Sequence, residues 1–388
     1  MRFVSNFISL FLLLLLFACG SHDSLPAPNP PPDSHPETVK IDWNTFADHF
    51  QNTLQSIYKN KSGTYITRPD KRDFNYWFNA HVLDVLVDGY NRTNDKQYLS
   101  LMKELLRGIK IKNWGTYWKV YVDDMCWLGI ACMNAWHASH DEEYKNTAIY
   151  ILNEIKKAHT DVLGGGLQWR FDGPNAKHAC STGPGGILAL RLYEAEKKEE
   201  DLIFAKELYQ WETATLLNPS NYLVWDNIFK NEAGVIEIKK DWMYTYNVGT
   251  YVGMAKDLYL QTGDKKYLEA AVRSALASIS SSDMVANNMF KETGDHDGGL
   301  FKGILVRYLT EMVFTEGVTE TFKKSVVRFL KSNANVLYNK GTSPPPAVFA
   351  SSDWSIRPEK SHDLSTQLSA MMLVESMAKF DKSGLLTP

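Results

Sequence analysis

Cysteine is scarce in this chain, with four in 388 residues. Cys19 stands apart near the start; the other three, Cys126, Cys132 and Cys180, are odd in number and lack zinc-ligand spacing. Residues six apart on one helix, as Cys126 and Cys132 would be, point their side chains apart. A disulfide framework and a zinc site are excluded, and buried free thiols are expected. An excess of charge is lacking too. The 42 Lys+Arg balance 45 Asp+Glu for a net −3, so no basic footprint for nucleic acid exists. No segment after the leader is long and apolar enough to span a membrane. Sustained period-two alternation is missing, which argues against a large sheet. There is no Gly-rich nucleotide loop and no Gly-x-Ser-x-Gly elbow.

What the sequence has in quantity is aromatic: 11 Trp, 19 Tyr and 18 Phe. Such a content serves either a heavily aromatic core or a surface that stacks on flat ligands. Apolar residues at 44% and charged residues at 22% make a globular composition.

Residues 8–18 read ISLFLLLLLFA and follow Arg2. Eleven apolar residues are too few for a transmembrane helix but suit the core of a secretory signal. The run closes on Leu16-Phe17-Ala18-Cys19, which resembles a bacterial lipobox with Phe17 bulkier than usual. The expectation is a signal peptide over 1–18 and lipidation at Cys19; an ordinary secretory cut nearby is the plainer alternative. Residues 19–39 are Pro-rich and polar, a tether that cannot bury a core. Residues 40–388 then form the folded domain. The protein is expected to be exported and lipid-anchored to a bacterial membrane, on the periplasmic or the cell-surface face of the outer membrane.

A weak repeat runs through that domain. Short polar connections follow apolar helix ends, with marker residues Tyr98, Tyr144, Ile203, Tyr267 and Phe322 at intervals of 46, 59, 64 and 55. Such a period signals stacked helical hairpins. Helical patterns cover about 43–59, 74–92, 95–112, 122–140, 141–159, 181–197, 199–214, 244–262, 264–281, 297–316, 318–334 and 361–380. The odd members are amphipathic; several even ones are apolar nearly all round, as in Met125–Trp136. Strict alternation predicts an all-α fold, an (α/α)6 barrel of six helical hairpins with even helices inside. An open solenoid of the same hairpins is the alternative. The long connections all precede even helices, so they gather at one end of the barrel, where function usually sits.

The residues opening the even helices are unusual for plain caps. The sharpest set is WGTYWKVYVDDMCWLG, Trp114–Gly129, with Asp123 and Asp124 adjacent. A single Asp there is a helix cap. A second carboxylate packed beside it is costly and calls for another purpose. Glycoside hydrolysis is one: retaining enzymes set two carboxyls about 5–5.5 Å apart, inverting ones roughly 6.5–9.5 Å. Neighbouring residues, with Cα atoms about 3.8 Å apart, reach the shorter spacing readily.

At these residues the chain resembles glycoside hydrolase family 76, the endo-α-1,6-mannanases. The likeness extends through GGGLQWRF (Gly164–Phe171), YTYNVGTYVGMAKDLYLQTGDKKYLEAA (Tyr244–Ala271), FKGILVRYL (Phe301–Leu309) and QLSAMMLVESMAKF, across most of 43–380. His178, Thr182 and Val248 stand where the family commonly has amide residues. The resemblance implies endo-cleavage of an α-mannan poly- or oligosaccharide with retention, Asp123 as nucleophile and Asp124 as acid/base. Trp77, Trp114, Trp118, Trp169 and Tyr246 are candidates to stack on sugar faces. Asn79, His81, Asp226, Asn247, His296 and Asp297 are candidates to bond sugar hydroxyls; for Asp297, capping the next helix is the alternative. DHDGG (Asp295–Gly299) lacks the spacing of a calcium loop. No cofactor and no metal are expected. Two other readings stay open here. One is another (α/α)6 carbohydrate enzyme, such as an unsaturated-glycan hydrolase, lyase or epimerase. The other is a noncatalytic glycan-binding lipoprotein, which leaves the paired carboxylates unexplained.

Overall fold

The computed structural model describes residues 41–359 and 363–387. The signal, the tether and Cys19 lie outside the described residues. So do Ser361 and His362, which precede Asp363.

Twelve α-helices form among the described residues. They are α1 (Trp43–Thr53), α2 (Tyr76–Thr93), α3 (Gln97–Lys112), α4 (Val122–Ser139), α5 (Glu142–Ile155) and α6 (Ala179–Glu196). The second half holds α7 (Glu199–Thr215), α8 (Thr245–Thr262), α9 (Lys265–Ser280), α10 (Gly298–Val313), α11 (Glu320–Asn339) and α12 (Leu364–Lys382). Each expected helical pattern becomes one helix, with α1 continuing as a π-turn over Leu54–Tyr58.

Local chemistry sets the hairpin turns. The inner helices α2, α4, α6 and α8 end on Asn94, His140, Lys197 and Gly263, all left-handed at φ 58°, 55°, 56° and 70°. Each of these residues returns its N–H to a carbonyl four residues back, which stops the helix. Asp141 and Asp264 then cap α5 and α9 through the N–H groups of Glu143 and Lys266. An Asp directly after a left-handed stop is what the marker turns have in common at these two hairpins.

Even helices pack in sequence, α2 on α4, α4 on α6, α6 on α8, α8 on α10 and α10 on α12; α12 returns to α2. That last contact closes the ring and rules out the open solenoid. Odd helices lie outside, each on its own partner. The burial pattern follows: α12 is buried at 16 of its 19 positions, whereas α3 buries only Met102, Leu105, Leu106, Gly108 and Ile109. Cys126, Cys132 and Cys180 are free and buried.

The long loops carry short strands. β1 (Ala176–His178), β2 (Asn227–Lys230) and β3 (Ile236–Ile238) form an antiparallel sheet in that order, with His178 opposite Asn227. β4 (Val285–Ala286) and β5 (Met289–Phe290) form a hairpin. Strands of two to four residues are too short for an alternation pattern to reveal, so helical periodicity could not anticipate them.

Candidate active site

The inner helices begin at the end where the long loops gather. Five of them, α4, α6, α8, α10 and α12, start without a side-chain cap from the N-cap residue. The positive ends of their dipoles face that mouth. Asp123 and Asp124 sit in the first turn of α4 and cap nothing. Asp297 occupies the N-cap position of α10 and does not cap it; its Oδ1 accepts the Trp77 indole N–H at 2.9 Å. Three carboxylates thus forgo helix capping and face a cavity of about 510 Å³.

That cavity is lined by Asp123, Asp124, Asp226 and Asp297, by Lys119 and His178, and by a wall of rings that includes Trp77, Trp169, Trp242, Tyr244, Tyr246 and Phe301. Asp123 Oδ2 accepts the Trp169 indole N–H at 3.1 Å, and its Oδ1 is buried without a partner. Burial pushes Asp123 well above the carboxylate range, and the charge of Asp124 adds to this; main-chain N–H groups at the helix start and the Trp169 indole pull it back. Asp124 is pushed up to about 7, by burial first; the Lys119 ammonium opposes the rise and the Asp297 charge reinforces it. Two carboxyls so close titrate as a pair, which retains a proton near neutrality. The Trp169 indole is aimed at Asp123, and a donor to a carboxylate favours its ionised form.

Opposite this pair, Asp226 is held from two sides. Asn247 donates to its Oδ1 at 3.0 Å and Asn227 to its Oδ2 at 2.7 Å, with His178 Nδ1 at 3.6 Å. Burial works against its charge, yet His178 and Asn247 hold it below its ordinary range. Tyr246 lies flat on Phe301, centroids 4.0 Å apart.

Several residues expected at the mouth lie elsewhere. Asn79 is buried and pins the loop before α2, donating to Tyr65 O and accepting from Tyr65 N at 2.7 Å. His81 is buried beneath the cavity against Trp127 and Asp84, and burial lowers its pKa, so it stays neutral. Asn247 does not line the cavity and acts on it through Asp226. His296 points outward, its Nδ1 2.9 Å from Asp363. Trp114 is 95% exposed, held in left-handed backbone just before Gly115. Trp118 lies outside the cavity lining, stacked on Phe171. These positions share the mouth end in sequence but differ in direction, which helix phase and loop path decide.

Lining residues that sequence reasoning did not single out include Lys119, Tyr121, Trp242 and Phe301. Phe301 carried a usable signal, since it follows Asp297 by four and so shares its helix face. Trp242 lies in a long loop with no periodicity to place it.

A larger cavity of about 710 Å³ opens among the C-terminal ends of the inner helices. Its carboxylates are matched: Asp88 by Arg307 at 2.7 Å, Glu375 by Arg92 at 2.9 Å and Glu311 by Arg191 at 3.2 Å. Each of these carboxylates is held by an arginine, which sets this cavity apart from the one with the carboxyl pair.

A family model described as glycosyl hydrolase family 76 matches residues 42–387. The chain belongs to glycosyl hydrolase family 76. The family assignment agrees with the closed ring of six hairpins. Among solved structures, the chain is similar to the α-1,6-mannanase of Salegentibacter sp. HEL1_6, at 43% identity and TM-score 0.85, over 87% of this chain and 99% of that one. An inactive variant of that enzyme, with two consecutive aspartates changed to asparagine, is a complex with α-1,6-mannotriose, at 42% identity, TM-score 0.85 and the same coverage. The Lin0763 protein of Listeria innocua matches at 27% identity and TM-score 0.80, over 88% of this chain and 99% of that one. No curated protein matches the chain.

Proposed function

We propose that this protein is a retaining endo-α-1,6-mannanase, with Asp123 as nucleophile and Asp124 as acid/base. The observation that carries this reading is the uncapped carboxyl pair on the cavity wall. It is the only pair of consecutive aspartates in the sequence. The mannanase of Salegentibacter is described as inactive when two consecutive aspartates are changed, and in that form it holds α-1,6-mannotriose.

The mechanism follows from the two environments. Asp123 attacks the anomeric carbon while Asp124 gives its proton to the departing O6 of the next mannose, breaking the C1–O bond. The result is a glycosyl ester on Asp123 and an ionised Asp124. Asp124 then takes a proton from water, the hydroxide attacks the same carbon, and Asp123 leaves as carboxylate. Two inversions give net retention. The positive end of the α4 dipole favours the negative charge on Asp123 before attack and after release. Asp226 and Asp297 are charged acceptors for sugar hydroxyls, and Tyr246 on Phe301 is an aromatic wall.

The test is digestion of unbranched α-1,6-mannan, following product size and, by proton NMR, the anomer first released. Asp124→Asn should lower kcat about 10²–10⁴-fold, the span of general acid catalysis. Wild-type rates in Asp123→Asn and Asp124→Asn proteins would sink the assignment. Binding of α-mannan without turnover would instead favour a noncatalytic role.

We also propose that Cys19 carries a lipid anchor, supported by the apolar run at 8–18 and the Leu-Phe-Ala-Cys closing it. In a bacterial host, Cys19→Ser should move the protein from membrane pellet to soluble fraction. Equal partition of both proteins would refute the anchor.

A further inference from the structure

Asp123 is the first member of a line of rings that leaves the cavity. Its carboxylate holds the Trp169 indole, whose ring lies 5.1 Å from Tyr121. The chain segments on either side pair antiparallel: Val122 N–H donates to Trp169 O at 2.8 Å and Phe171 N–H to Val120 O at 3.0 Å. Between them Tyr121 and Arg170 form a single antiparallel bridge, and Phe171 follows Trp169 by two residues. Phe171 meets Trp118, ring centroids 5.8 Å apart and planes within 23°.

This outer pair stands beyond the cavity lining, and Trp118 remains 41% exposed. A large apolar ring left half in water gains little from packing alone. Its backbone is nonetheless fixed. Thr116 Oγ1 accepts Trp118 N–H at 3.0 Å, and Asn113 donates to Trp118 O at 2.9 Å. The facing segment is fixed as well, by Arg170 forked onto Asp172 at 2.8 Å and laid over the Tyr121 ring. A flat ring held rigid while exposed binds a flat apolar face at low entropic cost.

We propose that Trp118, backed by Phe171, is a stacking platform for a sugar unit outside the cavity, so that the protein favours long α-mannan chains over short oligosaccharides. The inference rests on the mannanase reading above and adds a determinant of chain length to it. The polymer runs from the carboxyl pair past Trp169 and over the Trp118 ring.

The experiment measures kcat/KM on α-1,6-mannooligosaccharides of increasing length for wild type, Trp118→Ala and Trp118→Phe. The ratio of the longest substrate to the shortest one cleaved should fall about two- to tenfold in Trp118→Ala, the span of an aromatic stacking contact. Trp118→Phe should restore most of that ratio. A ratio equal to wild type in Trp118→Ala, or an equal loss at every length, would overturn the platform. No cleavage of any member by wild type would instead refute the mannanase reading itself, and the platform with it.

Discussion

Asp124 shows how single residues set the chemistry. It is raised to about 7 by burial, with Lys119 opposing and Asp297 reinforcing the rise. The acid step needs Asp124 protonated, so activity should fall as pH rises through this value. Removing the Asp297 charge with Asp297→Asn should move that basic limb to lower pH. Lys119→Met should move it to higher pH. Opposite shifts in kcat against pH support the assignment; no shift in either variant refutes it. The same group has a cost in stability. A carboxyl whose folded pKa lies above its unfolded value binds the proton more tightly when folded. Its stabilising contribution is full below the ordinary carboxylate pKa and is lost as pH rises through about 7. Asp124→Asn should therefore raise Tm relative to wild type at pH 8 more than at pH 5, checked by thermal melts at both.

Elements meet closely where glycines allow it. Gly303 on α10 lies so near α12 that a Cβ would stand 2.6 Å from the Ser369 Cα. Gly249 on α8 would meet the Leu305 Cα at 2.9 Å. Both obstacles are backbone, which cannot move without shifting a helix. Gly186 on α6 would instead meet the flexible Met254 side chain. Gly303→Ala should destabilise by about 1–3 kcal/mol despite the better helix propensity of alanine. Gly186→Ala should cost distinctly less, and denaturant midpoints compare the two. These glycines are visible in the sequence, but which of them faces a neighbouring backbone is a matter of helix phase around a closed ring.

At the scale of the whole molecule, successive inner helices are joined around the ring by ion pairs at the end away from the carboxyl pair. Glu311 on α10 meets Lys256 of α8 at 2.8 Å and Arg191 of α6 at 3.2 Å. Burial alone would raise Glu311, but these two cations hold it down to about 2. A lowered carboxyl stabilises the fold above its unfolded pKa and loses that contribution as pH falls toward 2. Glu311→Gln should cost about 2–4 kcal/mol at pH 6, with the gap to wild type narrowing as pH drops below 4. Urea unfolding at pH 6 and pH 3 checks this; a constant gap would contradict it.

Much of this was legible in the chain itself. Helix count, the alternation of one-sided and all-round apolar helices and the gathering of long loops depend on local pattern, because burial imposes a period on each helix separately. The adjacency of Asp123 and Asp124 is covalent, so no fold was needed to bring them together. Closure of the ring depends on α12 meeting α2, residues nearly three hundred apart, and no local pattern encodes that contact. The partners of the carboxyl pair were decided the same way. Trp169 reaches Asp123, Trp77 reaches Asp297 and Asn247 reaches Asp226 across separate loops and helices. Trp114 and Trp118 read alike in sequence, four residues apart. Only the path of the loop, pinned by Asn113 and paired with residues 169–171, sends one into water and sets the other on a ring.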